Sequence, residues 1–220
     1  MLSRKWIAAA VLTAGMSSAA QAGYIETTFT SGMTSQVEGA TTYDFDSAAK
    51  PAGYSGAGSI LLSSASGFAA APAGDDTPFL SVAFPASSGT ETFVVTPGQA
   101  YDYFGLYWGS IDDYNWISFY NGDTLLGKIT GNDVIQAGAQ LGDQVSPGSN
   151  RYVNFFLHDM SFDKIELGTS NFAFESDNHA FATVPEPGVF ALALAAFGAL
   201  FVMRRRRAAH LAGRAAHLAV

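Results

Sequence analysis

Tyr114-Asn115-Trp116-Ile117-Ser118-Phe119-Tyr120-Asn121-Gly122-Asp123-Thr124-Leu125-Leu126-Gly127-Lys128-Ile129 is the stretch on which the fold turns. Ile117 and Phe119 alternate with Trp116, Ser118 and Tyr120, so one side of the segment is apolar and the other mixed, which is the period of a strand with a single buried face. Asn121-Gly122 then supplies the positive φ angles that a tight turn between antiparallel strands demands, and a second apolar segment follows at once. The stretch therefore predicts a β-hairpin.

The same period recurs on both sides. In Tyr103 to Trp108 the apolar face is Phe104, Leu106 and Trp108, and in Tyr152 to Leu157 it is Val153, Phe155 and Leu157. Further short segments bounded by Gly, Asn, Asp, Pro and Ser are Tyr24 to Phe29, Thr42 to Phe45, Phe79 to Phe84, Thr92 to Val95, Phe162 to Leu167 and Phe172 to Phe174. About ten strands with no 3.6-residue periodicity predict an all-β chain: a single antiparallel β-sandwich, jelly-roll-like, over residues 23–183. Residues 47–78, rich in Ala, Gly, Ser and Pro, and residues 131–150, rich in Gly, Asp and Gln, read as long surface connections.

Composition supports a packed domain and narrows its partners. Hydrophobic residues make up 48% of the 220 and charged residues 14%, which excludes disorder. Of the eleven basic residues, Arg4, Lys5, Arg204, Arg205, Arg206, Arg207 and Arg214 lie near the termini, leaving Lys50, Lys128, Arg151 and Lys164 in the domain. Against those four stand eighteen acids, a net of −14, so no nucleic acid is expected as a partner, since phosphate binding needs a basic face. Cysteine is absent, which removes disulfides, thiolate metal sites and cysteine nucleophiles together.

The two ends carry addresses. Residues 1–22 combine Arg4 and Lys5, an apolar run from Trp6 to Met16, and Ala20-Gln21-Ala22, the small-x-small pattern of a signal-peptidase site, so cleavage is expected after Ala22. At the other end Val184-Pro185-Glu186-Pro187-Gly188 precedes an apolar run over residues 189–203 and then Arg204 to Arg207. The prolines hold an extended spacer, the apolar run enters a bilayer as a helix, and the arginines stay on the cytoplasmic side. Fifteen residues rise about 22 Å as a helix, short of a hydrocarbon core of roughly 30 Å, which suits transient insertion in the inner membrane.

Pro185-Glu186-Pro187 followed by a hydrophobic helix and an Arg cluster resembles the PEP-CTERM sorting signal of Gram-negative bacteria that make extracellular polysaccharide. The likeness covers residues 184–207 with its three parts in order. It implies processing by an exosortase, in addition to signal peptidase, and residence at the cell surface or in the extracellular matrix after transient anchoring. Residues 208–220 depart from that pattern: they form a short cytoplasmic tail in which Ala-Ala-His-Leu-Ala occurs twice, placing His210 and His217 seven apart, too few and too distant for a metal site. Residues 74–184, with Asp102 to Asp123 at their centre, are similar to a group of exosortase-dependent surface proteins, a likeness that implies location without adding catalytic residues.

Two candidate sites follow from residue chemistry. Asp112, Asp113, Asn115 and Trp116 lie on or beside the loop between two aromatic strands, where an indole can stack on a sugar ring and carboxylates and amides can bond hydroxyls; solvation of a strand end and burial of aromatics is the plainer reading of the same residues. Asp44 and Asp46 near the start of the domain, with Glu175 and Asp177 near its end, are candidate ligands for a structural calcium, which takes six to eight oxygens; jelly-roll carbohydrate-binding modules commonly hold one between terminal segments. Solvated strand-end carboxylates are the alternative.

Catalysis is not expected. Asp112 and Asp113 are adjacent and point to opposite sides of an extended chain, so they do not flank one glycosidic bond. No Gly-x-Ser-x-Gly elbow is present, and His158 and His179 are the domain's histidines. The expectation is an exported surface or matrix protein with a non-catalytic domain, associated with exopolysaccharide either as a structural component or as a lectin-like binding module.

Overall fold

A computed structural model describes residues 22–184, 197–201, 203 and 204. In chain order the strands are β1 (Tyr24–Thr30), β2 (Thr41–Tyr43), β3 (Tyr54–Gly56), β4 (Gly58–Leu61), β5 (Phe79–Val82), β6 (Gly89–Val94), β7 (Tyr103–Gly109), β8 (Asn115–Asn121), β9 (Thr124–Thr130), β10 (Arg151–His158), β11 (Lys164–Thr169) and β12 (Phe174–Ala182), with one helical turn, α1 (Gly131–Val134). They form two antiparallel sheets: β1-β10-β7-β12-β5-β4, with β2 added to β12, and β3-β6-β11-β8-β9. The chain is the antiparallel sandwich that its period-two segments predict.

The core lies where the inner faces meet. Phe104, Leu106 and Trp108 of β7 and Val153, Phe155 and Leu157 of β10 face Ile117 and Phe119 of β8 and Ile165 and Leu167 of β11, all buried in one cluster. Phe104 joins the layers, lying 6.2 Å from Phe155 in its own sheet and 6.2 Å edge-on from Phe119 in the other. Each such side chain contributes roughly 1.5–3 kcal/mol by leaving water, which is why a chain without disulfides folds on packing alone.

Three expectations are corrected by the architecture. The 47–78 segment is more than a connection: Tyr54 and Phe93 are register partners across β3 and β6, and β4 closes the edge beside β5. The last strand runs from Phe174 to Ala182, well past the predicted Phe172 to Phe174. The hairpin turn is centred on Gly122 and Asp123, because Asn121 stays on the ladder opposite Thr124 and Gly122 alone carries the positive φ, +55°.

The outer face of the first sheet is not a solvent face. All seven residues of β7 are buried, because loops cover the side that faces away from the core. The Tyr103 hydroxyl donates to Asn154 Oδ1 at 2.7 Å and meets the Ser35 hydroxyl at 2.7 Å, and the Tyr107 hydroxyl donates to the Ala73 carbonyl at 2.7 Å. A Cβ on Gly109 would lie 2.8 Å from Pro72, so glycine is needed for the loop to lie this close. The 62–78 segment thus forms part of a third layer, and the polar residues of β12 end up beneath it.

Candidate functional site

Where this loop layer meets the ends of β7 and β12, a cleft of about 460 Å³ opens between residues 64–70, Ser110, Asp112, Tyr114 and Phe172, with Glu175 among its lining residues. Its wall is a small hairpin of its own, closed by the Ala65–Ala69 bridge. Phe68 stands on that wall, 45% exposed, and meets Phe172 edge-on at 5.3 Å. Two partly open aromatic rings therefore border a polar cleft.

Glu175 fastens the wall to the sandwich. Its Oε1 accepts the Ala70 N–H at 2.9 Å and its Oε2 the Ser110 hydroxyl at 2.9 Å. Ser110 reaches it from a left-handed backbone, φ +37°, held there by its N–H donating to Asn150 Oδ1 at 2.9 Å; an L-residue in that region costs of order 1–3 kcal/mol, which the surrounding bonds offset. Burial pushes the Glu175 carboxyl up to about 7, against the bonds from Ala70 and Ser110 that favour its ionised form.

Tyr114 and Asp112 form the other side. The Tyr114 hydroxyl lies 2.5 Å from Asp112 Oδ2 and 2.6 Å from the Phe172 carbonyl. The hydroxyl donates to the Asp112 carboxyl, which burial raises and this bond lowers. Burial first, then Asp112, also raises the Tyr114 phenol.

Of the four residues expected to form a glycan surface, only Asp112 lines this cleft. Asp113 is exposed beside it. Asn115 is fully buried and donates to the Ala173 carbonyl at 3.0 Å, so it positions the segment below the cleft and meets no solvent. Trp116 lies on the far face of the second sheet: its ring spreads over Gly168, where a Cβ would come within 2.2 Å of it, and Lys128 Nζ sits 4.2 Å from its centroid on the solvent side. The indole is covered by its own strand neighbours, and the four residues do not share a surface.

The expected calcium set is likewise dispersed. Phe45 is buried with φ +54°, which turns its neighbours Asp44 and Asp46 outward to solvent, where the Asp46 N–H caps Asp44 Oδ1 at 3.2 Å. Glu175 and Asp177 sit under the loop layer instead, both buried. Among the described residues no group of three or more His, Cys, Asp or Glu is placed to hold a metal, so these four do not fit one calcium.

The histidines have structural partners. His158 pairs with Glu26 at 2.7 Å and stacks on Tyr24 at the sheet edge. His179 is fully buried between the Tyr54 hydroxyl at 2.8 Å and the Ser176 hydroxyl at 2.9 Å, and burial lowers it to about 3, so it stays neutral. Ala20, Pro185, Glu186, Pro187, Arg205, Arg206, Arg207 and the 208–220 tail lie outside the described residues. Residues 197–201, 203 and 204 are helical, and no helix among the described residues is long and apolar enough to cross a membrane.

Phe68, Ser110 and Phe172 are the cleft residues that sequence reasoning missed. One signal was available: Phe68 is the single large apolar residue in Ser63-Ser64-Ala65-Ser66-Gly67-Phe68-Ala69-Ala70, a run otherwise made of small ones. The meeting of that loop with Phe172, more than one hundred residues later, is a product of topology and leaves no local mark.

Fold and cleft together define a two-sheet antiparallel β-sandwich with an acidic, loop-walled cleft at one end. No protein-family model matches the chain, and the curated proteins yield no match. Among solved structures, the K2 cleaved adhesin domain of Lys-gingipain aligns with 66% of this chain and 99% of that chain at 14% identity, with a TM-score of 0.31, a likeness too loose to bear on function.

Proposed function

We propose that this is an exported, exosortase-sorted protein of the cell surface or extracellular matrix, whose sandwich works without catalysis by holding a glycan of the surrounding exopolysaccharide in the cleft beside Phe68 and Phe172. The export and sorting part rests on the two ends of the sequence. The binding part is supported by one observation above all: two partly exposed aromatic rings beside a cleft lined by hydroxyls, an amide and carboxyls, the mixture that stacks on sugar rings and bonds their hydroxyls. Both Glu175 oxygens are engaged by the protein, and neither described histidine lines the cleft, so the acids read as ties and acceptors.

Charge narrows the ligand. No Lys or Arg lines the cleft, while Asp112 and Glu175 do, which favours a neutral or amino sugar over a uronic acid. The full-length protein is expected to bind the host's own extracellular polysaccharide saturably, and Phe68→Ala is expected to weaken that binding at least tenfold with an unchanged circular dichroism spectrum. Absence of binding by the folded protein would leave the purely structural matrix role in its place.

A further inference from the structure

We propose that Asp75 and Asp177 form a calcium site that pins the loop layer to β12. The two residues belong to different elements, Asp75 to the loop and Asp177 to the strand, and both are more than nine-tenths buried, at 7% and 1% exposure. Their carboxyl groups lie within hydrogen-bonding range of each other, and the Thr77 hydroxyl touches both, 2.6 Å from Asp75 Oδ1 and 3.3 Å from Asp177 Oδ2.

One oxygen of each carboxyl is already served. Asp75 Oδ1 accepts the Thr77 N–H at 3.0 Å and the Thr77 hydroxyl, and Asp177 Oδ2 accepts the Asn178 amide at 3.2 Å. The other two oxygens, Asp75 Oδ2 and Asp177 Oδ1, are buried and receive no donor at all. Two buried carboxyl oxygens without a donor are a costly arrangement unless something positive or a proton sits with them.

Among the described residues of the domain, each Lys and Arg is engaged elsewhere. Lys50 is bonded to Glu91 at 2.9 Å, Lys128 lies over Trp116, Arg151 lies 3.5 Å over the Phe29 ring, and Lys164 lies 4.6 Å over Tyr120. Those are the four basic residues of the domain, so the counter-charge for Asp75 and Asp177 comes from outside. The ligands are all hard oxygens, two carboxylates and a hydroxyl, which is the chemistry of calcium rather than of zinc or copper. The backbone is bent to serve this place: β12 shifts register against β7 between Asp177 and Ala180, and Asn178 stands at φ +53°. Such bulges re-aim a side chain at the expense of ladder pairing.

The ion would share Asp177 alone with the dispersed set of Asp44, Asp46, Glu175 and Asp177, and it would hold residues 72–77 next to the cleft wall. The test uses the full-length protein at pH 7.5. Calcium is expected to raise the thermal midpoint over that in chelator by roughly 5–10 °C once it exceeds its dissociation constant about one hundredfold. Terbium is expected to show luminescence sensitised by neighbouring Tyr107 that calcium competes away. Asp75→Asn and Asp177→Asn should each abolish both responses; Asp75→Asn lies off the strand ladders and carries the test if Asp177→Asn fails to fold. A wild-type midpoint indifferent to calcium and chelator would mean that the pair shares a proton instead and would overturn the proposal, as would a calcium response retained in Asp75→Asn.

Discussion

Glu175 shows how much of this site is decided by one side chain. Burial holds its carboxyl near 7, above the ordinary 4.5. A carboxyl raised in the folded state stabilises the fold while neutral, so its contribution is complete below about pH 4.5 and is lost as the pH climbs through about 7. Glu175→Gln keeps an acceptor for the Ala70 N–H and an amide for Ser110 but removes the titration. Urea unfolding should therefore show the wild type losing on the order of 3 kcal/mol more than the variant between pH 4.5 and 7.5; parallel profiles would mean that Glu175 is not the titrating group. Nothing in Phe174-Glu175-Ser176-Asp177-Asn178 announces this, because the sequence places the acids beside a turn and leaves unsaid what lies over them.

At the scale of elements, Trp116 and Gly168 are cross-strand partners on β8 and β11, and the indole occupies the space that a Cβ at 168 would need. Gly168→Ala should destabilise by about 1–3 kcal/mol, yet be close to neutral in a Trp116→Ala background, where the ring is gone; equal costs in both backgrounds would show that the glycine is required for backbone reasons. Trp116→Ala alone should leave polysaccharide binding intact. The alternation of Ile117 with Phe119, and of Phe104, Leu106 and Trp108, made the sandwich and its core legible, since period two assigns faces directly. It could not reveal the loop layer: Tyr103, Gly105 and Tyr107 fall on the face that period two gives to solvent, and they are buried by segments far away in sequence. For the same reason the sequence pattern marks only the start of β12, whose acids and His179 resemble a surface turn. Asp112 is legible because its loop is bounded by aromatic strands; Phe68 is hidden inside a run of small residues.

For the whole molecule, the two ends and the sandwich make separate claims. Replacing Pro185, Glu186 and Pro187 together with alanine should leave the sandwich folded while the protein accumulates in the inner-membrane fraction of its host and disappears from the medium and matrix; unchanged fractionation would remove exosortase sorting from the proposal. The loop layer has a further consequence, one of heredity. The cleft wall at residues 64–70 is closed by its own Ala65–Ala69 bridge and is joined to the sandwich at a few points, Ala70 to Glu175 and Ala73 to Asn150 and Tyr107 among them. Insertions and substitutions within Ser63–Phe68 can then accumulate without breaking a rung of either sheet. On the proposed glycan-binding reading, a lineage carrying this chassis follows changes in the sugars around it by rewriting half a dozen codons.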